Sequence, residues 1–346
     1  MRMRWQFLLF FSAIFLAACG SLEAITPAPP TATSTPISTE LPPIATAIPA
    51  GFNEENPIQI VIVPADPDSA EDHVEAFEDA LNELTDVEIT VVLVETQTEA
   101  YTAVCSAASG TVSAAWVNGM TYAATSLNRC GTAGLRADTP DGTGQTGVLL
   151  LNMEYEDNGI DDAIEETLCR ISVDDFFSWI LPVLFYGAED FTLADIVEID
   201  ELDDNDEILE SLMDNDCAAA GMSEAAWEAY LDAESDSEEE IDEEDTLEAN
   251  IFVAATSPEI PYNVFSFSGA MTLDALQDIQ SALLELDEES GRSEIDPEST
   301  DELSPDAEMM VALFGYGSFE AVDDGDMQEL LDFMQDSGIN FAGLAD

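Results

Sequence analysis

The chain contains no lysine, six arginines and one histidine against 75 aspartates and glutamates, a formal net charge of −69 over 346 residues. Nucleic-acid binding depends on arginine and lysine at the phosphates, so DNA and RNA are excluded as partners. Docking on an anionic lipid surface through a basic patch is excluded by the same deficit. His73 is the lone histidine and no CxxC pair occurs, so no metal site is expected, and nothing points to a cofactor. GxSxG, HExxH and Walker-type loops are all missing, and the chain is not expected to be an enzyme. Carboxylate pairs abound in so acidic a chain, so none is marked out for acid–base work on glycosides. No apolar run reaches the ~20 residues that a membrane-spanning helix needs.

What is present begins with Arg2 and Arg4, a nearly apolar run from Trp5 to Ala18, and Leu16-Ala17-Ala18-Cys19 followed by Gly20. A basic start, a short apolar core and a small-residue cleavage site make an export signal. The cysteine just after the cleavage point resembles the lipobox of bacterial lipoproteins, which implies lipidation at Cys19. Residues 1–18 are therefore expected to be a lipoprotein signal peptide. Residues 19–56 carry Pro27, Pro29, Pro30, Pro36, Pro42, Pro43 and Pro49 among Thr, Ser and Ala. Proline fixes φ and removes an amide donor, so this stretch predicts an extended spacer between an acyl anchor and a folded body. The expected location is extracytoplasmic, lipid-anchored to the cell membrane.

The body, from about Pro57 to Asp346, is long enough for two lobes, and 46% of the chain is apolar, ample for a core. Loss of the leader would take away Arg2 and Arg4 and carry the net charge to −71. Such a surface suits a salty or strongly acidic medium, since self-repulsion is screened over ~8 Å at physiological ionic strength. The densest run, Glu234 to Glu248, reads as a solvated loop; it has no DxDxDG spacing for calcium. Cys105, Cys130, Cys169 and Cys217 form an even set in an exported chain, which predicts two disulfides with three pairings open.

Along the body, Ile58–Val63 predicts a buried first strand closed by Pro64. Ser69 and Asp72 suggest a capping box before a helix striped by Val74, Phe77, Leu81 and Leu84. Strands over 89–94 and 112–117 alternate with helices over 98–109 and 121–128. This β-α-β order predicts α/β architecture with mixed, mostly parallel sheets flanked by helices. Val148–Asn152 opens a second lobe. It continues with strands over 167–172, 196–199 and 217–220 and helices over 175–186 and 205–213, and Asn250–Thr256 reads as the return crossing. The expected division is 57–146 and 251–346 for one lobe and 147–250 for the other, with a hinge near Gly147 and Asn250. Two later stripes, Leu273 to Leu286 and Met327 to Met334, predict further helices.

Several segments together resemble the substrate-binding family of phosphate, phosphite and phosphonate ABC transporters. Ile58–Pro64 resembles its opening IxIGFVPS strand. Ser109-Gly110-Thr111-Val112-Ser113-Ala114-Ala115-Trp116 resembles SGQVDVAW, and Tyr122 falls on that family's ligand-facing tyrosine. Asp214–Ala219 resembles NGDCDAG, Ala255–Pro261 the SPPIP stretch, and Phe314–Asp324 the closing GxDGFVPADD segment. The resemblance implies a two-lobed type II periplasmic-binding-protein fold that closes on a small-molecule ligand and delivers it, as a monomer, to ABC permease subunits. It also implies Cys105–Cys130 and Cys169–Cys217 as the bridges.

At the implied ligand site the chain departs from the family. Where relatives carry Ser-Thr-Ser-Gly at a helix start, this chain has Asp175, Phe176, Phe177 and Ser178. Asp175 suits the helix dipole but repels an incoming dianion. Asn205 stands where a histidine is common, Asp206 is retained, and IPND becomes Ile260-Pro261-Tyr262-Asn263. The expected contacts are Tyr122, Asp175, Ser178, Asn205, Asp206, Tyr262 and Asn263. Three readings follow. The cleft takes a neutral, cationic or zwitterionic solute; it holds a phosphorus oxyanion through backbone amides alone; or the fold serves a protein-docking or envelope role without transport.

Overall fold

The computed structural model describes residues 51, 56–106, 111–157, 159–236, 246–297 and 302–338. The leader, Cys19, nearly all of the spacer, Ser109-Gly110 and the middle of the acidic run lie outside these residues. No helix among the described residues is long and apolar enough to cross a membrane.

The strands are β1 (Ile58–Ile62), β2 (Ile89–Leu93), β3 (Val112–Asn118), β4 (Gly131–Asp138), β5 (Gly144–Gln145), β6 (Gly147–Asn152) and β7 (Thr167–Arg170). They continue with β8 (Glu198–Glu201), β9 (Ala219–Ser223), β10 (Ile251–Thr256), β11 (Ile260–Pro261), β12 (Asn263–Ser268) and β13 (Ser318–Ala321). One sheet has the order β13-β4-β12-β3-β1-β2 and the other β10-β6-β9-β7-β8. The architecture is the expected two-lobed α/β class, and its sheets are mixed. Parallel pairing joins β1 to β2 and β3, and β7 to β8 and β9. Each antiparallel pair of the two large sheets involves β4, β6 or β12. These strands lead into or out of the segments that cross between sheets, so they enter from the opposite direction.

The β-branched run of β1, interrupted only by Gln59, is explained by two covered faces. Ile58, Ile60 and Ile62 meet the helices Val74–Leu84, Leu273–Ser290 and Pro305–Phe314 through Phe77, Ile279 and Leu313. Val61 faces the other way, toward the helices Gln97–Cys105 and Gly119–Leu127. β6 repeats the logic: Leu149 and Leu151 pack on Leu181 and Leu184, while Val148 and Leu150 pack on Ile208, Leu212 and Trp227.

Both bridges have the pairing that the resemblance implies, Cys105–Cys130 and Cys169–Cys217, with Cα atoms 4.9 and 5.8 Å apart. Both separations lie within the range that a disulfide spans.

Three local expectations are corrected. The first helical turn, Pro67–Ala70, is capped by Asp66, whose carboxylate accepts from the Ser69 amide, so Ser69 is not the cap. The return crossing comes later than Asn250. β10 pairs with β6 inside the second sheet, and the chain crosses back over 257–262, where β11 pairs with β5. The start of the acidic run is helical rather than loop: the helix Glu224–Ser235 includes Glu234, whose carboxylate accepts from the Leu247 amide. This bond ties the two ends of the run together across residues outside the description.

Candidate functional site

After β7 the chain turns at Ser172–Asp175 and enters a wide π-turn, Phe176–Ile180, that continues into the helix Leu181–Ala188. Pro182 explains the wide turn. It has no amide to return to Ser178, and its ring would crowd that carbonyl in a regular α-helix. The Leu181 amide reaches five residues back to the Phe176 carbonyl instead. The turn sits directly on the sheet. A Cβ on Gly147 would lie 2.2 Å from Leu181, and one on Gly221 would lie 2.2 Å from the Phe177 carbonyl oxygen. Gly221 is therefore required by the close approach of backbone, while at Gly147 the tip of the Leu181 side chain would have to move.

At that start, Asp175 Oδ1 accepts from the Ser178 amide at 2.6 Å. A helix N-terminus offers unpaired amides and a positive dipole end to an anion. Here the chain supplies the anion from its own side chain. Ser178 is 1% exposed, and its hydroxyl accepts from the Ile171 amide at 3.0 Å, so it ties strand to helix. Phe176 and Phe177 fill the positions of the hydroxyl-bearing pair. They stack edge-to-face with centroids 5.0 Å apart and pack on the apolar core.

No cation offsets Asp175 among the described residues. Arg136 pairs with Glu259 and Glu320, Arg170 with Glu201, and Arg292 with Asp287. Arg129 is exposed at a left-handed turn beyond the C-terminal end of the helix Gly119–Leu127.

Tyr262 and Asn263 lie on the other side of the crossing. The Tyr262 amide donates to the Thr143 carbonyl at 3.2 Å, and its half-buried ring packs on the first sheet's core. With its amide oriented to suit its neighbours, Asn263 accepts from Trp116 Nε1 at 2.9 Å. Its register partner is Asn118, which caps the helix Gly119–Leu127 by accepting from the Thr121 amide. The segment 257–262 joins the two groups. The Ser257 hydroxyl accepts from the Gly147 amide, and a Cβ on Gly119 would strike the Pro261 carbonyl at 2.5 Å.

Three expected contacts stand elsewhere. Tyr122 is fully buried, and its hydroxyl donates to Asp324 at 2.9 Å. Asp324 also accepts from the Ala133 amide and the Thr132 hydroxyl, so it staples the C-terminal segment to β4 and to this helix. Asn205 begins the helix Asn205–Met213, yet its cap is Asp204, which accepts from the Glu207 amide. Asp206 is exposed and holds the Tyr230 phenol, pushing it up to about 12. The structure thus joins Asp175 and Ser178 in one turn and Tyr262 and Asn263 in another, and it engages Tyr122 and Asp206 with other partners. Sequence reasoning missed Asp324 and Ser257 as fixing residues, although both lie in segments that carry the family resemblance.

Burial first, and Asp324 second, raises Tyr122 well above the usual phenol range; burial alone does the same for Tyr186. A phenol whose folded pKa is raised contributes its full stability below the ordinary pKa of about 10 and loses it as pH climbs further. Alkaline titration at the phenolate absorbance should therefore leave these two of the seven tyrosines protonated until the chain unfolds. Stability should be flat to about pH 9 and then fall by up to ~1.4 kcal/mol per pH unit for each of the two. Release of all seven in the folded protein at pH 11 would contradict this.

Among curated proteins none matches the chain. Among solved structures it is similar to a Xanthomonas citri protein bound to ATP, at 9% identity, covering 81% of this chain and 96% of that one with a TM-score of 0.48. It is similar also to PhnD1 from Prochlorococcus marinus in complex with methylphosphonate, at 12% identity, 80% and 96% coverage and a TM-score of 0.40. A third is a binding protein component of an ABC phosphonate transporter from Pseudomonas aeruginosa, at 12% identity, 82% and 88% coverage and a TM-score of 0.39. The family model for the periplasmic substrate-binding protein of phosphonate ABC transporters matches residues 60–327. That match spans both sheets and both crossing segments, and the chain therefore belongs to the phosphonate ABC-transporter family of periplasmic substrate-binding proteins.

Proposed function

We propose that this chain is an extracytoplasmic solute-binding lipoprotein, anchored through Cys19, whose cleft takes a neutral, cationic or zwitterionic solute and passes it to an ABC permease. The observation that carries the reading is the bond from the Ser178 amide to the Asp175 carboxylate at 2.6 Å. The amide that would grip a phosphonate oxygen is occupied, and the occupant is negative. Two like charges ~4 Å apart repel by about 4 kcal/mol at an effective dielectric of 20, equivalent to ~1,000-fold in affinity. Phe176 and Phe177 add an apolar wall in place of hydroxyl donors. Tyr262 and Asn263, across the crossing, are the proposed partners from the other lobe, with Asp175 selecting ligand charge. Tyr122 and Ser178 act in this reading as the supports that hold the walls, and Asn205 and Asp206 as the entry to the neighbouring helix.

The test is a thermal-shift and calorimetric series on the full chain with methylphosphonate, choline, ethanolamine and glycine. Stabilisation by one or more of the last three, with none from methylphosphonate, is the expected result. Tight methylphosphonate binding by the unaltered protein would defeat the proposal.

A further inference from the structure

On the outer face of the second sheet, the helices Asn205–Met213 and Glu224–Ser235 leave a groove of about 540 Å3 between them. The core beneath them, with Val148 and Leu150, holds residues of the second lobe alone, whereas the core on the sheet's other face is shared with the first sheet. Leu209, Met213, Tyr230 and Leu247 form the floor of the groove, and Asp206, Glu210, Asp214 and Glu234 form its rim. The walls are already fixed. Asp206 accepts from the Tyr230 phenol across the two helices, and Glu234 accepts from the Leu247 amide. Glu210 and Asp214 stand one turn apart at the end of the helix Asn205–Met213, which has no basic residue in its last turn. Like charges four residues apart repel, and a helix C-terminus is the negative end of its dipole. Both carboxylates are therefore unfavourable where they stand, and a cation from outside would relieve both.

We propose that this groove docks a basic amphipathic helix of a partner protein, its apolar stripe on the floor and its lysines or arginines against the rim. Charge, spacing and shape select that occupant. The carboxylates are too dispersed for a metal, since among the described residues no group of three Asp, Glu, His or Cys side chains could hold one. The cations must therefore be several, spread along a larger body. Residues four apart on a helix rise about 6 Å, and Asp206, Glu210 and Asp214 follow one another at that interval. Basic residues four apart on a second helix have the same interval. The floor beside them runs for about 12 Å, which suits two turns of an apolar stripe laid in a groove. Exposed ion pairs are weak singly, so the floor carries the affinity and the rim chooses the partner. This chain does not supply the occupant. It has no lysine, Arg136, Arg170 and Arg292 are paired elsewhere, and a second copy would bring another net charge of −69. The site makes no use of Asp175 and does not depend on what the cleft binds.

The probe is an amidated peptide of about 15 residues, long enough for a helix, with a leucine stripe flanked by lysines four apart. Its scrambled isomer keeps the charge and loses the stripe. Anisotropy titrations of the full chain at about 0.15 M salt, where general attraction is screened beyond ~8 Å, should show saturable binding of the peptide. The scrambled isomer and spermine should bind more weakly by roughly tenfold or more. Met213→Glu puts a charge on the floor and should weaken the peptide by roughly tenfold, although it makes the protein more acidic. General attraction to so negative a chain predicts the opposite. Glu210→Gln/Asp214→Asn should lose roughly 3- to 10-fold. Asp79→Asn/Glu83→Gln removes the same charge at the same spacing from exposed positions of the helix Val74–Leu84, and it should leave the affinity unchanged. Melting curves report independently that each variant folds. The proposal is overturned if the peptide fails to saturate, or if the scrambled isomer or spermine binds as tightly. It is overturned also if Met213→Glu binds the peptide as well as the unaltered chain does, or if the two double variants weaken it equally.

Discussion

Asp175→Ser should bind methylphosphonate at least a hundredfold more tightly than the unaltered chain. The substitution removes the resident negative charge from the Ser178 amide and puts there a neutral hydroxyl that can also donate to a phosphonate oxygen. A serine at this position remains a good N-cap, so the helix start should survive. Full relief of a like-charge contact corresponds to ~1,000-fold, and the expected gain is set lower because Phe176 and Phe177 still supply no hydroxyl. Asp175→Asn separates the two effects. It is neutral but still able to cap, so it should recover only part of the gain. Isothermal titration of the three proteins decides the matter, and equal methylphosphonate affinity in all three would show that the carboxylate is no barrier.

The second large effect concerns stability. Arg292 and Asp287 form an ion pair with Arg292 1% and Asp287 6% exposed, at the end of the helix Leu273–Ser290. Gly291, in the left-handed region at φ 67°, turns the chain so that Arg292 folds back onto Asp287. The same guanidinium donates to the Gly315 carbonyl at 2.8 Å and lies 4.3 Å from the Phe319 ring centroid. Asp287 accepts from the Phe319 amide at 2.7 Å. Burial pulls Arg292 below the usual arginine value while Asp287 opposes the shift. Arg292→Met retains most of the stem but strands a buried carboxylate, which costs about 3–5 kcal/mol. The double variant Asp287→Leu/Arg292→Met should recover part of that loss, limited by the unpaired Phe319 amide. Urea unfolding measures all three, and a loss below 1 kcal/mol in Arg292→Met would refute this account.

Much of the scaffold was legible in the residues, for identifiable reasons. The helix Asn205–Met213 was read with the bounds that the structure shows, because its apolar positions repeat at helical spacing. β1, interrupted only by Gln59, and β6 announced themselves as apolar runs because both of their faces are covered. β4 and β12 went unread. Gly131–Asp138 mixes glycine, threonine and arginine, and its strand character depends on pairing with β12, more than a hundred residues away. The return crossing was placed early for a similar reason: nothing in Ile251–Thr256 shows that it pairs with β6 rather than with a strand of the first sheet.

The order of residues alone determined which groups stand at the helix start, a carboxylate and two phenyl rings where relatives carry hydroxyls, and the preponderance of negative charge that surrounds them. Composition and motif position are properties of single segments, so they need no partner to be read. Tertiary structure decided the rest: that Asp175 turns onto its own helix's amide, that Tyr122 spends its hydroxyl on Asp324, and that the Tyr186 hydroxyl is buried without a partner among the described residues. Each of these depends on which distant segment covers a side chain. Burial and hydrogen-bond partnership arise only when chain segments far apart in sequence are packed together.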